Sequence, residues 1–259
     1  MGALHAGHLS LMALARRKVG ARGFVVGSIF VNPLQFGPKE DFSRYPRPLA
    51  EDLAKCRAAG VDFLFHPTAA HMYATAPSIT VDETALALGL CGAARPDHFR
   101  GVCTVVTKLF HLVRPDFAVF GQKDYQQLAV IRRLVCELNF PLAIVAGPTQ
   151  RERDGLALSS RNAYLTADAR REAPALRRTL LAGAKLIHNG ARSTARIEMR
   201  LRKLFRPAAP GARIDYLSVV DADTLQRARR IEGRVALLGA AYFGATRLID
   251  NEVVVVPDP

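Results

Sequence analysis

The sequence predicts an α/β protein in which helices cover both faces of a Rossmann-like parallel sheet, followed by a smaller C-terminal α+β domain. Three observations predict it. Apolar segments suited to buried strands alternate with helical segments as far as Pro148. After that residue the sequence changes to a polar stretch, Arg/Ala-rich helical segments and separate β-like runs. Polar clusters follow the apolar segments, where ligands bind in open parallel sheets.

The chain opens on a turn suited to phosphate binding, Met1-Gly2-Ala3-Leu4-His5-Ala6-Gly7-His8. It precedes a predicted helix over 8–19, and a helix N-terminus offers unpaired N–H groups and partial positive charge. Gly7 permits close approach of the backbone. The spacing of His5 and His8 places both imidazoles on one helical face, where both can donate hydrogen bonds to a polyphosphate.

The remaining elements alternate. Strands are predicted at 24–31, 61–65, 117–120 and 142–145, the first two of them buried, and helices at 49–59, 102–113 and 124–138. Gly60 is a typical helix stop. Beyond Pro148 come a polar stretch at 151–162, two Arg/Ala-rich helices, and β-like runs at 216–220, 235–238 and 248–256. The domains are therefore predicted at 1–149, which contains the phosphate-binding turn, and at 150–259.

Composition narrows the function classes. The 259 residues carry a formal charge of +13, which favours anionic partners. The arginines are spread over helices, which indicates a solvated surface, so a nucleic-acid module is the weaker alternative. Four separated cysteines and the lack of an apolar leader or spanning segment predict a cytoplasmic protein with reduced thiols and no membrane partner.

Polar clusters follow three of the predicted strands. They are Asn32–Phe36, Gly121–Gln127 and Leu158–Asn162. Each taken alone is also explained by local structure, with Asp124 as a helix cap and Ser159-Ser160 as a turn. Their shared position in the predicted sheet favours one site.

Six ordered motifs resemble the pantothenate synthetase family. They are His5-x-Gly7-His8, Ser28-Ile29-Phe30-Val31-Asn32-Pro33-x-Gln35-Phe36, Tyr45-Pro46-Arg47, His98-Phe99-Arg100-Gly101, Lys123-Asp124-x-Gln126-Gln127 and Leu158-Ser159-Ser160-Arg161-Asn162, with Leu248-Ile249-Asp250-Asn251 near the end. The resemblance implies a nucleotidyltransferase-type fold and an AMP-forming ligase. Such an enzyme condenses pantoate with β-alanine through a pantoyl adenylate, at the expense of ATP.

The resemblance also implies the site residues. His8, supported by His5, and Lys123 are the expected catalytic residues. The expected ATP contacts are Met1, Gly2, His5, His8, Gly121, Gln122, Lys123, Asp124, Gln150, Leu158, Ser159, Ser160 and Arg161. Gln35 and Gln127 are expected to bind pantoate, and Gln35 also β-alanine. Mg²⁺ is expected on the ATP phosphates, without a protein metal site, and a homodimer is expected by analogy.

The chain departs from the family at its start, where a strand ending in Pro-Thr normally precedes the position of Met1. That strand would be central in the sheet, and its loss would uncover apolar surface and two strand edges. Two explanations stay open, a true start that lies upstream or a defective fragment, and the polypeptide as written is expected to have low adenylation activity. Adding the upstream strand and measuring AMP release tests this, and no gain in activity or solubility would reject it. Gln122, often an acid in the family, and Gln150, expected to act through its backbone, are smaller departures.

Three alternatives stay open. A nucleotidyltransferase acting on a phosphate acceptor shares the turn and sheet, although the amides of Gln35 and Gln127 suit a phosphate poorly. A basic nucleic-acid-binding protein would bind duplex DNA with steep salt dependence. The third is a catalytically impaired fragment of the ligase that serves as a dimer-forming scaffold.

Overall fold

The computed structural model describes residues 2–38, 40–227 and 230–256. Met1, an expected ATP contact, lies outside them. The chain divides into two compact units, Met1–Pro148 and Thr149–Pro259. The first contains, in order, α1 (Ala6–Val19), β1 (Val26–Ser28), a 3-10 turn (Pro33–Gln35), α2 (Leu49–Ala58), β2 (Phe63–Phe65), α3 (Ala69–Met72), α4 (Leu90–Ala94), α5 (His98–Val113), β3 (Phe117–Gly121), α6 (Tyr125–Glu137) and β4 (Ala143–Gly147).

The first unit confirms the predicted alternation of parallel strands and helices. β1 pairs in parallel with β2, and β3 pairs in parallel with β4. Across the described residues these pairs form two separate two-stranded sheets. Helix α1 packs closely on the second pair, since a Cβ at Gly147 would lie 2.1 Å from Leu11 Cδ2. Glycine there lets the helix that follows the histidine turn approach the ends of both strands.

The first two strands differ from the prediction of long segments buried on both faces. Val25 and Ile29 are buried, but Phe24 is 72% exposed and Phe63 is 57% exposed. Phe24 precedes the paired residues of β1, whereas Phe63 is itself paired with Val26, and among the described residues β1 and β2 form a sheet of two strands only. The two phenylalanine rings instead contact each other edge to face, with centroids 5.6 Å apart.

The second unit is an α+β arrangement, as predicted. It contains a 3-10 turn (Ser160–Tyr164), α7 (Ala167–Glu172), α8 (Ala175–His188), α9 (Thr194–Ala208), β5 (Ala212–Asp221), β6 (Arg234–Phe243) and β7 (Thr246–Val255). The three strands form an antiparallel sheet in the order β5-β6-β7. Leu180 and Ile187 of α8 and Leu201 and Phe205 of α9 are fully buried in the core that includes this sheet.

Within the described part of the chain, no helix is both long and apolar enough to cross a membrane.

Candidate active site

The histidine turn is a capping box at the start of α1. His5 is the N-cap, and its Nδ1 accepts a hydrogen bond from Gly7 N at 3.1 Å. His8 Nδ1 accepts from His5 N at 3.2 Å. The ring centroids lie 4.0 Å apart. Both rings therefore satisfy orphan backbone donors of the helix start through Nδ1.

This arrangement fixes what the two rings can donate. Because each Nδ1 accepts a hydrogen bond, the neutral tautomer carries its proton on Nε2. Burial lowers the pKa of His8 to about 3, with a further contribution from His5. Burial and then Lys123 lower the pKa of His5, while Asp124 opposes the shift. Both rings are thus neutral Nε2–H donors near pH 7, rather than imidazolium acids.

Helix α2 holds the segment that precedes the histidines. Asp52, fully buried, accepts from Ala3 N through Oδ2 at 2.8 Å and from Leu4 N through Oδ1 at 2.7 Å. Lys55 Nζ donates to Leu4 O at 2.9 Å. A carboxylate and an ammonium from successive turns of α2 therefore fix the backbone that leads into His5.

The Lys123-Asp124 turn follows the carboxyl end of β3. Gln122 N donates to Gly147 O at 2.8 Å, which ties this turn to the end of β4. Lys123 Nζ lies 3.6 Å from Asp124 Oδ2. Asp124 occupies the N-cap position of α6, although its side chain makes no capping hydrogen bond. The charges of both residues act on His5, so the structure brings this turn and the histidine turn together.

Asn32 fixes the orientation of Gln35. It is 2% exposed, and its Oδ1 accepts from Tyr73 Oη at 2.8 Å and from Leu34 N at 3.2 Å. Its Nδ2 group donates to Gln35 Oε1 at 3.0 Å. The Gln35 Nε2 group has no hydrogen-bond partner among the described residues, so it is available as a donor.

Helix α5 packs directly on the turn that carries Gln35. A Cβ at Gly101 would lie 2.2 Å from Leu34 O and 2.9 Å from Gln35 N, so only glycine permits this approach. The same helix begins at His98, whose Nδ1 lies 2.9 Å from Gln35 O. Burial and then Arg95 lower the pKa of His98 to about 4, and the Asp124 charge also acts on this ring. The Asp124 charge therefore acts on His98 as well as on His5.

Gln127 and Gln126 have different environments on the first turn of α6. Gln127 is half-buried, and its side chain has no hydrogen bond to the described residues. Gln126 is buried and donates to Leu86 O and Gly89 O, both at 2.8 Å, while accepting from Cys91 N. Gln126 is therefore structural, and Gln127 is free to contact a ligand.

The predicted phosphate segment of the second unit is a short loop anchored to β7. Leu158 N donates to Gln150 O at 2.9 Å, and Ser159 Oγ accepts from Arg161 N at 3.3 Å at the start of the 3-10 turn that contains Ser160. Arg151 makes a bidentate ion pair with buried Asp250 at 2.7 and 2.9 Å. This pair explains why the Leu248–Asn251 motif accompanies the loop.

Among the described residues, no group of three or more His, Cys, Asp or Glu side chains could hold a metal ion.

A cavity of about 210 Å³ lies beside Asp52 and Gly2, and its lining includes Arg47 and His66. Gly2 is the one predicted ATP contact along its described lining. The cavity therefore adjoins the backbone leading to the histidine turn.

Sequence patterns did not identify several positioning residues. Asp52, Lys55, Tyr73 and Arg95 all contact the predicted site segments across long sequence separations, for example 48 residues between Leu4 and Asp52. Local spacing carries no signal for such contacts. Of the positioning residues, only His98 had a sequence signal, because it lies in the motif His98-Phe99-Arg100-Gly101. That motif did not predict a role for His98.

Comparisons with known proteins identify the family of this chain. The sequence model of the family described as Pantoate-beta-alanine ligase matches residues 1–253. The pantothenate synthetase of Desulfitobacterium hafniense is 52% identical over 254 residues, which is 98% of this chain and 89% of that protein. That of Moorella thermoacetica is 52% identical over 258 residues, covering 100% of this chain and 90% of that protein.

Solved structures give the same result. The crystal structure of pantothenate synthetase from Thermus thermophilus matches with a TM-score of 0.91 at 47% identity, covering 97% of this chain and 90% of that one. The pantoate-beta-alanine ligase of Francisella tularensis, complexed with beta-gamma ATP and beta-alanine, matches with a TM-score of 0.73 at 32% identity, covering 98% and 87%. The chain therefore belongs to the pantoate–β-alanine ligase, or pantothenate synthetase, family.

Proposed function

We propose that this protein condenses pantoate with β-alanine at the expense of ATP, releasing AMP and pyrophosphate. The residues of the candidate active site are proposed to bind the substrates and to stabilise the phosphate charge. The pantoate carboxylate attacks the α-phosphorus of ATP, and pyrophosphate leaves. The β-alanine amine then attacks the acyl carbon of the pantoyl adenylate, and AMP leaves. No protein nucleophile is needed, so catalysis comes from positioning and from stabilising phosphate charge.

The observation that carries the proposal is the neutral histidine pair beside the Lys123 turn. His5 and His8 use Nδ1 within the helix start, which leaves Nε2–H to donate to phosphate oxygens. The positive charge of Lys123 acts on His5 and is proposed to assist in binding the phosphates. Gly121, Gln122 and Asp124 are proposed to contact the nucleoside, with the Asp124 carboxylate accepting from the ribose hydroxyls.

Pantoate recognition is assigned to Gln35 and Gln127. Each has an amide with unused hydrogen-bonding capacity, and Gln35 presents its Nε2 group. A neutral donor can hold the pantoate hydroxyls and carboxylate without the strong ion pair that would weaken the nucleophile. Gln35 is also proposed to contact β-alanine.

The remaining ATP contacts are proposals carried by the family motifs. Gly2 and the backbone of Gln150 are proposed to contact the nucleotide. The phosphate region is proposed to be contacted by Leu158, Ser159, Ser160 and Arg161.

Magnesium fits the donor set of the first unit, because imidazole N–H and ammonium groups bind phosphate oxygens and leave the metal to be coordinated by ATP and water. When bound, Mg²⁺ would neutralise charge on the pyrophosphate leaving group. A cytoplasmic homodimer is also proposed, and light scattering tests the oligomer.

Product analysis tests the function. With ATP, pantoate and β-alanine, we expect pantothenate and AMP in equal amounts. Nucleotidyl transfer to a phosphate-bearing acceptor such as phosphopantetheine, with no amide product from pantoate, would instead support the alternative of a nucleotidyltransferase.

A further inference from the structure

Glu40, Arg95 and His98 form a hydrogen-bonded cluster against the main chain of Gln35. Arg95 makes a bidentate ion pair with Glu40, with Nε to Oε1 at 2.8 Å and Nη2 to Oε2 at 2.6 Å. Arg95 Nη2 also donates to Gln35 O at 3.1 Å. His98 Nδ1 lies 2.9 Å from the same carbonyl oxygen. One backbone carbonyl therefore receives two side-chain donors.

The protonation of His98 follows from these contacts. Because Nδ1 donates to the Gln35 carbonyl, Nε2 accepts from Arg95 Nη1 at 3.0 Å. A neutral ring satisfies both bonds, and burial beside Arg95 lowers the pKa of His98 to about 4. The cluster is thus complete at neutral pH.

The ion pair is shielded from solvent, with side-chain exposures of 18% for Arg95 and 25% for Glu40. Charge-assisted, bidentate pairs of this kind impose geometry more strongly than exposed ones. Glu40 belongs to the loop after Gln35, and Arg95 belongs to the segment before α5. The pair therefore ties that loop back to the helix start beside Gln35.

Together with Asn32, the cluster controls Gln35 at two points. Asn32 fixes the side-chain oxygen, while Arg95 and His98 fix the backbone carbonyl. We infer that Glu40, Arg95 and His98 are positioning residues that hold Gln35 for pantoate recognition, an inference that rests on the proposed function. They act through Gln35, because Arg95 and His98 contact its carbonyl oxygen and Glu40 holds Arg95.

The test variant is Glu40→Gln, which keeps the side-chain volume and removes the charge that orients Arg95. Arg133→Gln is the matched control, because it breaks an arginine–carboxylate pair on α6, where Arg133 Nη1 donates to Glu137 at 3.1 Å. Steady-state AMP release gives KM for pantoate and for ATP separately. Amide hydrogen exchange across residues 33–38 reports on the turn without requiring activity.

We expect Glu40→Gln to raise the KM for pantoate at least tenfold, with the KM for ATP changed less than twofold and faster amide exchange over 33–38. Arg133→Gln should leave all three unchanged, and Glu40→Asp should recover part of the pantoate affinity. Equal rises in both KM values, or an unchanged pantoate KM, would overturn the inference. If Glu40→Gln does not fold, Arg95→Lys is measured instead, with the same pattern expected.

The hydrogen-exchange result separates this inference from the proposed function. If the wild-type protein makes no pantothenate, but amide exchange over 33–38 is faster in the Glu40→Gln variant, the proposed function is refuted. The conclusion that the cluster orders this turn would then still stand. A wild-type protein that is active, with Glu40→Gln unchanged in exchange and KM, would refute the positioning role alone.

Discussion

Asp52 is expected to set the position of the histidine turn that is proposed to be catalytic, and Asp52→Asn tests this. The substitution replaces one carboxylate oxygen with an NH₂ group, which cannot accept from a backbone N–H. One of the bonds to Ala3 N and Leu4 N, at 2.8 and 2.7 Å, is therefore lost, and the other becomes a neutral bond. Losing a buried charge-assisted bond costs about 1.5–3 kcal/mol, and weakening the second brings the total to roughly 2–4 kcal/mol.

The functional effect follows from displacement of the turn rather than from loss of fold. A shift of about 1 Å in a positioned group costs on the order of 100-fold in rate. We expect pyrophosphate–ATP exchange to fall roughly 10- to 100-fold, with the KM for pantoate little changed. Urea denaturation followed by circular dichroism gives the change in the free energy of unfolding alongside the exchange rate.

Asp62→Asn is the matched control. Asp62 Oδ2 also accepts from a backbone N–H in the same unit, that of Val25 at 2.7 Å, but it does not contact the histidine turn. The Asp62→Asn variant should have a lower free energy of unfolding, but its rate of pyrophosphate–ATP exchange should not fall specifically. If Asp52→Asn were destabilised yet exchanged within twofold of wild type, the positioning argument for Asp52 would be refuted.

Three further predictions concern the same unit. Gly101→Ala places a Cβ 2.2 Å from Leu34 O, so we expect a loss of about 1–3 kcal/mol in urea denaturation and a higher KM for pantoate; unchanged values would contradict the packing argument. Gln35→Glu replaces the free NH₂ donor with a charged oxygen, and should raise the KM for pantoate at least roughly tenfold while sparing that for ATP; an equal effect on both would count against the assignment. The His8 pKa of about 3 lies below its unfolded value of 6.5, so its contribution to stability is complete above pH 6.5 and falls as the pH drops toward 3. His8→Gln should therefore flatten acid denaturation in that window, and an unchanged acid limb would show that the ring is not buried neutral.

Local patterns predicted the parts of the fold that local chemistry determines. The histidine turn is an example, because its donors and acceptors lie within His5–His8 and form a capping box at the helix start. The alternation of helices and strands also followed from periodicity. Strand burial did not, since the exposure of Phe24 depends on which strands pair with β1, and pairing is a long-range property.

The ligand-facing residues of the site stay predictions, and the residues that support them were not identified from the sequence. Gln35 could be identified from a motif, but its orientation depends on Asn32 and Tyr73, which are 41 residues apart, and on Arg95, which is 60 residues from Gln35. The convergence of Ser159, Ser160 and Arg161 on the nucleotide stays a prediction.

Isotope exchange between pyrophosphate and ATP, with and without pantoate, tests the central claim most directly. If the histidine turn, Lys123 and the two glutamines form one adenylation site, exchange should require pantoate, need no β-alanine, and fall at least roughly 100-fold in Lys123→Ala. Exchange that proceeds equally without pantoate, or that survives in Lys123→Ala, would contradict the account.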